Sequence, residues 1–271
     1  MAFIPKDLPP ENINVSPRNP LNEFFLLLSG LAGIIFSVYL VLGFAIDWIV
    51  PYVPPQTEHS LGQLFSSLYA DAEKGPKQAE IQNLVHNLSQ PLASEIPTEY
   101  LVHIVSDSKM VNALALPGGS ILVYSELLKQ ARSENELAFV LAHEIGHLYE
   151  RHSLKRLGRG LVLLTLSDLL LGQGNILSGT VSGGIDGLQK SFSRTQETAA
   201  DEMGLKLINN YYGHAGGVTD FFQRLSQTQT SGALDAYFST HPQPSKRVAH
   251  LEQLIQDQNL SVENTAPYQY P

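Results

Sequence analysis

Two histidines and a glutamate occur together in the sequence HEIGH at residues 143–147. Residues four apart share one face of an α-helix, so both imidazoles can bind the same metal ion. Glu144 is then placed to take a proton from a water molecule at that metal, as in the H-E-x-x-H motif. The pattern predicts one Zn²⁺ ion per chain, with His143 and His147 as ligands. The alternative is a helix whose two histidines face solvent or other hydrogen-bond partners.

A catalytic zinc ion takes three protein ligands and keeps one position open. The arrangement H-E-x-x-H-x-x-G-x-x-H does not supply the third ligand, because Glu150 and Ser153 occupy the positions of its glycine and last histidine. His152 lies five residues after His147, about 140° further round a continuous helix, so we interpret it as a structural residue. The third ligand is therefore expected on a second helix.

A second helix with a suitable carboxylate is predicted at residues 193–201, SRTQETAAD. Glu197 is the predicted third ligand, and Asp201 follows one turn later on the same face. Asp201 can accept a hydrogen bond from the free nitrogen of a zinc-bound histidine, which fixes the tautomer and orientation of that ring. Ala199 and Ala200 keep this helix thin enough for a close approach.

The predicted elements that carry these residues are mainly helices. Apolar residues at helical spacing run through residues 60–73 and 77–90. A long helix is expected from about 134 to 152, and Ser133 with Glu136 forms a capping box at its start. The metal motif lies in the middle of this long helix.

The segment that precedes the long helix, residues 100–124, has the composition of short strands. Its runs YLVHIVS, MVNALAL and SILVY predict three strands, and PGG at residues 117–119 predicts a turn before the last one. Together with the helices, these strands predict an α+β fold that is mainly α-helical with a small β-sheet.

A segment of 23 residues without a charge runs from Phe24 to Ile46. As a helix it is about 34 Å long, enough to cross the ~30 Å hydrocarbon core of a bilayer. A buried core helix and a cleavable signal peptide are alternatives, but the length favours an uncleaved transmembrane anchor. Lys6 and Arg18 precede the segment and Lys74 is the first basic residue after it. A cytoplasmic N-terminus with the catalytic domain on the periplasmic or extracytoplasmic side is therefore expected.

The composition restricts the possible partners and chemistry. The 271 residues include 17 basic and 26 acidic side chains, for a formal net charge of −9, and no cysteine. This balance argues against a nucleic-acid partner, which requires a basic face for its phosphates. The absence of cysteine excludes disulfides, thiolate ligands and a cysteine nucleophile, so a metal can take only histidine and carboxylate ligands.

Four motifs of the sequence resemble those of one known family and occur in the order expected for it. The chain is similar to the zinc metalloendopeptidases that include HtpX and the CAAX prenyl endopeptidase, which are gluzincins with H-E-x-x-H and a downstream E-x-x-x-D. The segments NALALPGG at 112–119 and STHP at 239–242, followed by Arg247, resemble two further motifs of the family. The resemblance covers roughly residues 60–255. A single predicted span, where HtpX and the prenyl endopeptidase have several, points to the single-domain BepA-like branch, which is periplasmic or membrane-anchored.

The resemblance implies that a strand beside the cleft binds substrate. In this family such a strand would pair with the backbone of the substrate by strand addition. The alternative is an ordinary edge strand followed by a turn. The residues concerned are Asn112, Ala113, Pro117, Gly118 and Gly119.

The resemblance also implies roles for three residues around the metal. His241 would stabilise the tetrahedral oxyanion as a catalytic residue, or it would bind zinc as a fourth ligand and keep the protein latent. A capped loop histidine is the remaining alternative. Arg194 and Arg247 would organise local carboxylates such as Asp201.

The function expected from these observations is that of a membrane-anchored, zinc-dependent metalloendopeptidase that hydrolyses misfolded or envelope proteins. The alternative is a chaperone or assembly factor that uses the same zincin-like (gluzincin) fold with little proteolysis. The expected organisation is a disordered tail (1–23), a transmembrane anchor (24–46), a linker (47–59), the metallopeptidase domain (60–258) and a second disordered tail (259–271).

An insert between the two metal-binding helices, residues 158–187, contains eight of the 21 glycines. Its apolar part, LVLLTLSDLLL at 161–171, is too short to span a bilayer. The insert is expected to form a helix packed over the long helix, followed by a flexible loop. The alternative is a lid or a membrane-facing flap that limits which chains reach the metal.

Overall fold

A computed structural model describes residues 19–95, 99–106, 110–171, 191–227, 235–242 and 244–268 of the chain. The chain divides into two compact units, Met1–Phe44 and Ala45–Pro271. Most of the predicted N-terminal tail (residues 1–18), residues 172–187 of the glycine-rich insert and the last three residues, 269–271, lie outside the described part.

The first unit contains the greater part of one long helix, α1 (Pro20–Ile49). None of its side chains is buried, and the rings of Phe24 and Phe44 are more than half exposed. Within the described residues, Pro20–Tyr52 is the one helical stretch long and apolar enough to cross a membrane. A helix that is apolar on all sides and unburied is typical of a lipid-embedded segment, which fits the predicted anchor.

The second unit contains a three-stranded sheet formed by β1 (Leu101–Val105), β2 (Ala113–Leu116) and β3 (Ser120–Tyr124). The order is β1-β3-β2, with β1 parallel and β2 antiparallel to β3. Gly118 and Gly119 turn the chain between β2 and β3 at φ angles of 88° and 89°. Only glycine adopts such angles readily, so the predicted turn and its residue types agree.

Nine further helices are described in this unit, so the mainly helical α+β prediction is confirmed. They are α2 (Pro55–Gln63), α3 (Pro76–Ser89), α4 (Ser125–Gln130), α5 (Glu134–Tyr149), α6 (His152–Leu171), α7 (Arg194–Tyr212), α8 (Asp220–Gln227), α9 (Asp235–Thr240) and α10 (Pro244–Asp257).

The sheet separates two apolar clusters because successive side chains of a strand point to opposite faces. On one face, Ala113 and Ala115 join the larger cluster, which includes buried residues of α3, α5 and α7. On the other face, Leu114 and Leu116 join a smaller cluster with Leu154 of α6. The strand β2 therefore lies between the metal-motif helix and α6.

Helix α5 is the centre of the larger cluster, since every residue from Asn135 to Leu148 is buried. Ser133 caps its start, accepting a hydrogen bond from the amide of Glu136 at 3.1 Å. The Glu136 carboxylate accepts from the amide of Arg132 at 3.2 Å and forms an ion pair with Arg224. Only half of the predicted capping box forms, because the arginine holds this carboxylate.

The continuous helix predicted up to residue 152 is interrupted before its end. Helix α5 stops at Tyr149, and Arg151 takes a left-handed conformation with φ of 54°. Its guanidinium nitrogen Nη1 donates to the carbonyl oxygens of Val50 and Val53, each at 2.9 Å. These contacts hold a corner that the local sequence does not predict, and α6 begins directly after it.

Helices α5 and α7 approach each other closely where small residues meet. A Cβ atom added at Gly146 would lie 2.9 Å from the Cα and carbonyl oxygen of Ala200. A Cβ at Gly204 would lie 3.2 Å from the ring of Phe139 and 3.3 Å from the amide nitrogen of His143. The predicted close approach therefore forms, and it depends on two glycines as well as on the predicted alanine.

The segment after α10 runs back across the start of α5 as far as residue 268. The amide of Ala215 donates to the carbonyl oxygen of Ser261 at 2.7 Å, and the amide of Tyr268 donates to the carbonyl oxygen of Arg132 at 2.9 Å. Ser133 and Pro267 form an isolated antiparallel bridge. These contacts lie within the segment for which the sequence predicts a disordered tail.

We expect Gly146→Ala to destabilise the protein by about 1–3 kcal/mol, because the new methyl group overlaps backbone atoms of α7 that cannot rotate away. Thermal unfolding of the detergent-solubilised chain measures the effect. Gly33→Ala in α1 is the matched control, since nothing lies within 4 Å of its added carbon. Equal unfolding temperatures for the two variants would contradict the close packing.

Candidate metal centre

Four buried side chains converge between α5, α7 and the residue after α9. Their nitrogen and oxygen atoms all lie within 4.8 Å of one another. Helix α5 supplies His143 and His147, α7 supplies Glu197, and His241 follows α9. Each is at most 2% exposed. The structure thus brings the three predicted ligands together and adds the histidine that the family motif indicates.

The distances between these atoms suit a four-coordinate metal ion. His143 Nε2 lies 3.1 Å from His147 Nε2 and 3.2 Å from His241 Nδ1. The Glu197 oxygens lie 3.6, 3.4 and 3.1 Å from His143, His147 and His241, in that order. The edge of a tetrahedron with metal–ligand bonds of about 2.0–2.1 Å measures about 3.3–3.4 Å. These five distances, taken to either oxygen of Glu197, are close to the edges of such a tetrahedron, and the sixth pair, His147 and His241, lies within 4.8 Å.

The outer nitrogen of His143 is held by a carboxylate, as the E-x-x-x-D spacing predicts. His143 Nδ1 lies 2.9 Å from Asp201 Oδ1, one turn beyond Glu197 on α7. Arg247 of α10 holds Asp201 with two donors, Nε at 2.8 Å and Nη2 at 2.5 Å. Its Nη1 lies 2.7 Å from Glu197 Oε2. One guanidinium thus links both α7 carboxylates.

The charges around the site favour protonation states that bind metals. Burial raises the pKa of Glu197, but His241 and Arg247 outweigh it and hold this pKa well below the usual range. Burial also raises the pKa of Asp201, but the charge of Arg247 lowers it by more, so this pKa is below its usual value. Burial lowers the pKa of His147 well below its usual value. Ionised carboxylates and neutral imidazoles are the forms that coordinate metals.

The surroundings of His147 differ from those of His143. His147 Nδ1 lies 3.0 Å from His152 Nδ1, in the first turn of α6. The ring of Phe192 stacks on the His147 imidazole, with centroids 3.7 Å apart and planes 13° from parallel. His152 is 4% exposed, and burial lowers its pKa to about 3. His152 therefore lies beside His147 rather than about 140° further round a continuous helix, because the corner at Arg151 folds it back.

Glu144 has one oxygen fixed and one oxygen free. Its Oε2 accepts a hydrogen bond from the amide of Ala115 in β2 at 2.8 Å. Its Oε1 has no hydrogen-bond partner among the described residues and lies 3.4 Å from His241 Nε2. A buried carboxylate oxygen without a partner is costly unless another molecule satisfies it. Glu144 is thus placed to accept a proton from a small molecule at the metal donors.

The predicted substrate strand lies beside the site, but its outer edge is occupied. The amide of Ala115 binds Glu144, and its carbonyl oxygen accepts from Ser153 Oγ of α6 at 2.6 Å. Asn112 and Ala113 are both buried, and Asn112 Oδ1 lies 3.5 Å from Thr240 Oγ1, next to His241. The NALALPGG and STHP motifs are therefore neighbours in space.

The other predicted residues are not members of the donor group. The turn of Pro117, Gly118 and Gly119 packs against α2, where a Cβ at Gly118 would lie 3.1 Å from Gly62. Arg194, the first residue of α7, has an exposed side chain. It lines a cleft of about 160 Å³ that reaches Glu197, Asp201 and Arg247.

Three residues of the site carry no signal in the metal motifs. Phe192 precedes Ser193, the N-cap of α7, but the N4 residue is Glu197, so the sequence lacks the two apolar residues of a hydrophobic staple. No local pattern therefore places the Phe192 ring on His147. His152 and Ser153 depend on the corner at Arg151, which has no pattern in the sequence.

Comparison with known proteins agrees with this geometry. A family model described as Peptidase family M48 matches residues 76–255, more than half of the chain. The chain belongs to peptidase family M48. The expected resemblance is thereby confirmed, and the buried group of His143, His147, Glu197 and His241 could hold a metal ion in this metallopeptidase family.

The M48 chain is similar to several proteases. The mitochondrial metalloendopeptidase OMA1 of Schizosaccharomyces pombe is 30% identical over 175 residues, which cover 62% of this chain and 50% of that protein. The beta-barrel assembly-enhancing protease of Yersinia pestis is 28% identical over 188 residues, covering 64% and 38%. The metalloprotease YcaL of Escherichia coli is 27% identical over 166 residues, covering 59% and 63%. The chain spans half or less of the length of the first two.

We expect Arg247→Met to destabilise the protein by about 3–5 kcal/mol, because it leaves two buried carboxylates without their shared cation. Denaturant unfolding of the metal-free protein measures the difference. Lys206→Met, on the exposed side of α7, is the control and should change stability by less than about 0.5 kcal/mol. A similar small change for Arg247→Met would contradict the role of the guanidinium.

Proposed function

We propose that this chain is a membrane-anchored, zinc-dependent metalloendopeptidase that hydrolyses protein substrates. The observation that carries the proposal is the convergence of His143, His147 and Glu197 at metal-ligand spacing beside a carboxylate with one free oxygen. Membership of peptidase family M48 and the protease names of its relatives support the same activity. Histidine and carboxylate ligands without thiolates suit zinc in a hydrolytic site.

The proposed mechanism assigns one task to each residue. Zinc, when bound by His143, His147 and Glu197, supplies a Lewis acid that acidifies water and polarises a carbonyl group. Glu144 Oε1 accepts the proton of the attacking water and later delivers it to the leaving amine. The amide of Ala115 keeps the other oxygen of Glu144 fixed, so the free oxygen stays directed at the donors.

The supporting residues set the geometry and charge of the ligands. Asp201 orients His143 through Nδ1, and Arg247 keeps Asp201 and Glu197 ionised at their positions. Arg194 lies at the rim of the adjoining cleft, where it contributes positive charge. These roles follow the general rule that partners of metal ligands fix ring orientation and basicity.

For His241, the geometry favours the fourth-ligand alternative in this conformation. Its Nδ1 lies 3.1 Å from Glu197 and 3.2 Å from His143, close enough to share a metal ion with them. A protein with all four positions filled by its own side chains is latent, because a catalytic zinc site needs one open position. Movement of His241 toward the substrate side would open that position and allow it to stabilise an oxyanion.

Substrate binding by strand addition is proposed at β2, beside the metal donors. A substrate strand would have to replace the hydrogen bond from Ser153 Oγ to the Ala115 carbonyl oxygen. The segment comprising Asn112, Ala113 and the turn at 117–119 would then position the peptide over the site. The need to displace α6 contacts supports a closed resting conformation.

The anchor and the peptidase domain are proposed as separate regions of the chain. Residues 24–46 would cross the membrane, and residues 60–258 would form the metallopeptidase domain. Residues 47–59 would be the linker between the two. The exposed apolar helix α1 supports the anchor. We propose a cytoplasmic N-terminus and a catalytic domain on the extracytoplasmic side, because basic residues flank only the N-terminal end of the span.

A chaperone or assembly factor with little proteolysis is the second candidate. The name of the Yersinia pestis relative joins assembly of β-barrels with protease activity, and that link favours an assembly role for this chain too. The free Glu144 oxygen favours hydrolysis, since binding alone requires no proton acceptor at the metal. Misfolded or envelope proteins are the proposed substrates in both cases.

Glu144→Gln should bind zinc as the wild type does and lose cleavage by a factor of at least about 100, because general-base catalysis contributes roughly 10²–10⁴-fold. Zinc content and casein hydrolysis measure the two properties. Glu150→Gln, beyond the end of α5, is the control with unchanged cleavage. Casein cleavage by Glu144→Gln at a wild-type rate would exclude the proposed role. Proteins that co-purify with Glu144→Gln from native membranes would identify the substrates.

The cysteine-free chain allows a direct test of orientation. With Gln258→Cys and Ala2→Cys as separate single-cysteine variants, a maleimide that cannot cross membranes should label only Gln258→Cys in intact spheroplasts of a bacterial host. Ala2→Cys should react only after lysis. The wild-type chain is the unlabelled control because it has no cysteine. Labelling in the opposite order would reverse the proposed orientation.

A further inference from the structure

The second metal-binding histidine has an unusual partner. His147 Nε2 faces the other donors, at 3.1 Å from His143 Nε2 and 3.4 Å from Glu197 Oε1. Its other nitrogen, Nδ1, lies 3.0 Å from His152 Nδ1, and both rings are buried. We propose that His152 is a positioning residue, which accepts a hydrogen bond from His147 and thereby leaves His147 Nε2 free to bind the metal. This inference rests on the proposed metal site.

The direction of this hydrogen bond follows from the number of protons on two neutral rings. A neutral imidazole carries one proton, on Nδ1 or Nε2. If His147 Nε2 offers its lone pair to a metal, the proton of His147 must be on Nδ1, where it is donated. His152 Nδ1 must then be the acceptor, so the proton of His152 is on Nε2.

The two metal-binding histidines are thus oriented in two different ways. Asp201, held by Arg247, accepts from His143 Nδ1 as a charged partner. His152 accepts from His147 Nδ1 as a neutral partner, for which carboxylates, carbonyl groups or water are the more common choices. A neutral acceptor fixes the tautomer of His147 without adding a third buried carboxylate beside Glu197.

The structure holds His152 in this place from several sides. The left-handed conformation of Arg151 turns the chain between α5 and α6, so that His152 returns toward His147. The next residue, Ser153, is 2% exposed and bonds to the Ala115 carbonyl oxygen. Phe192 stacks on the His147 ring and leaves its Nδ1 edge to His152.

The experiment compares zinc affinity, by competition with a chelating dye, in the full-length wild type and three variants. His152→Phe keeps a ring but removes the acceptor, and should weaken zinc binding about 10–100-fold. His152→Asn places an acceptor oxygen at the position of Nδ1 and should restore the affinity to within about threefold of wild type. His86→Phe, an exposed histidine of α3, is the control with unchanged affinity. Wild-type affinity in His152→Phe, or equal losses in the Phe and Asn variants, would overturn the proposal.

A second measurement requires no substitution in the site. In metal-free protein labelled with ¹⁵N-histidine, the nitrogen shifts should show the His147 proton on Nδ1 and the His152 proton on Nε2. A His147 proton on Nε2 would overturn the inference even if zinc binds. Failure of the wild type to bind zinc would contradict the proposed function, while the tautomers would still decide the hydrogen bond.

Discussion

The close contact between α5 and α7 is the constraint on which the rest of the site depends. Gly146 and Ala200 bring the two backbones so near that no further side-chain atom fits between them. At that separation the side chain of Glu197 reaches both His143 and His147 on the opposite helix. A larger residue at the contact would separate the carboxylate from the imidazoles, so the packing of the core and the metal geometry are one requirement.

Burial of so many polar groups requires a strict balance of charge. Glu197 and Asp201 lie in the core, where an unpaired carboxylate is strongly unfavourable. Arg247 compensates both at once, and its planar guanidinium can do so because its donors point in several directions. The candidate metal site is thus assembled from a core that would tolerate few other arrangements of the same residues.

The residues that converge in the structure could be selected from the sequence because their signals are local or lie on regular helices. Positions 143 and 147 share a helix face wherever the helix packs, and positions 197 and 201 do likewise. His152 was misplaced because the prediction extended α5 through Arg151, whose left-handed conformation is held by carbonyl groups about a hundred residues earlier. Half of the capping box failed for a similar reason, since Arg224 approaches from α8.

The sequence alone determined the chemistry of this protein: an apolar segment near the N-terminus, no thiol, and histidines and carboxylates at helical spacing. These features are set by residue type and by the period of the helix, so they need no knowledge of distant contacts. The tertiary structure decided which side chain lies beside each histidine, that His241 joins the buried donors, and that α6 occupies the edge of β2. Such contacts join residues far apart in the chain, and only packing determines them.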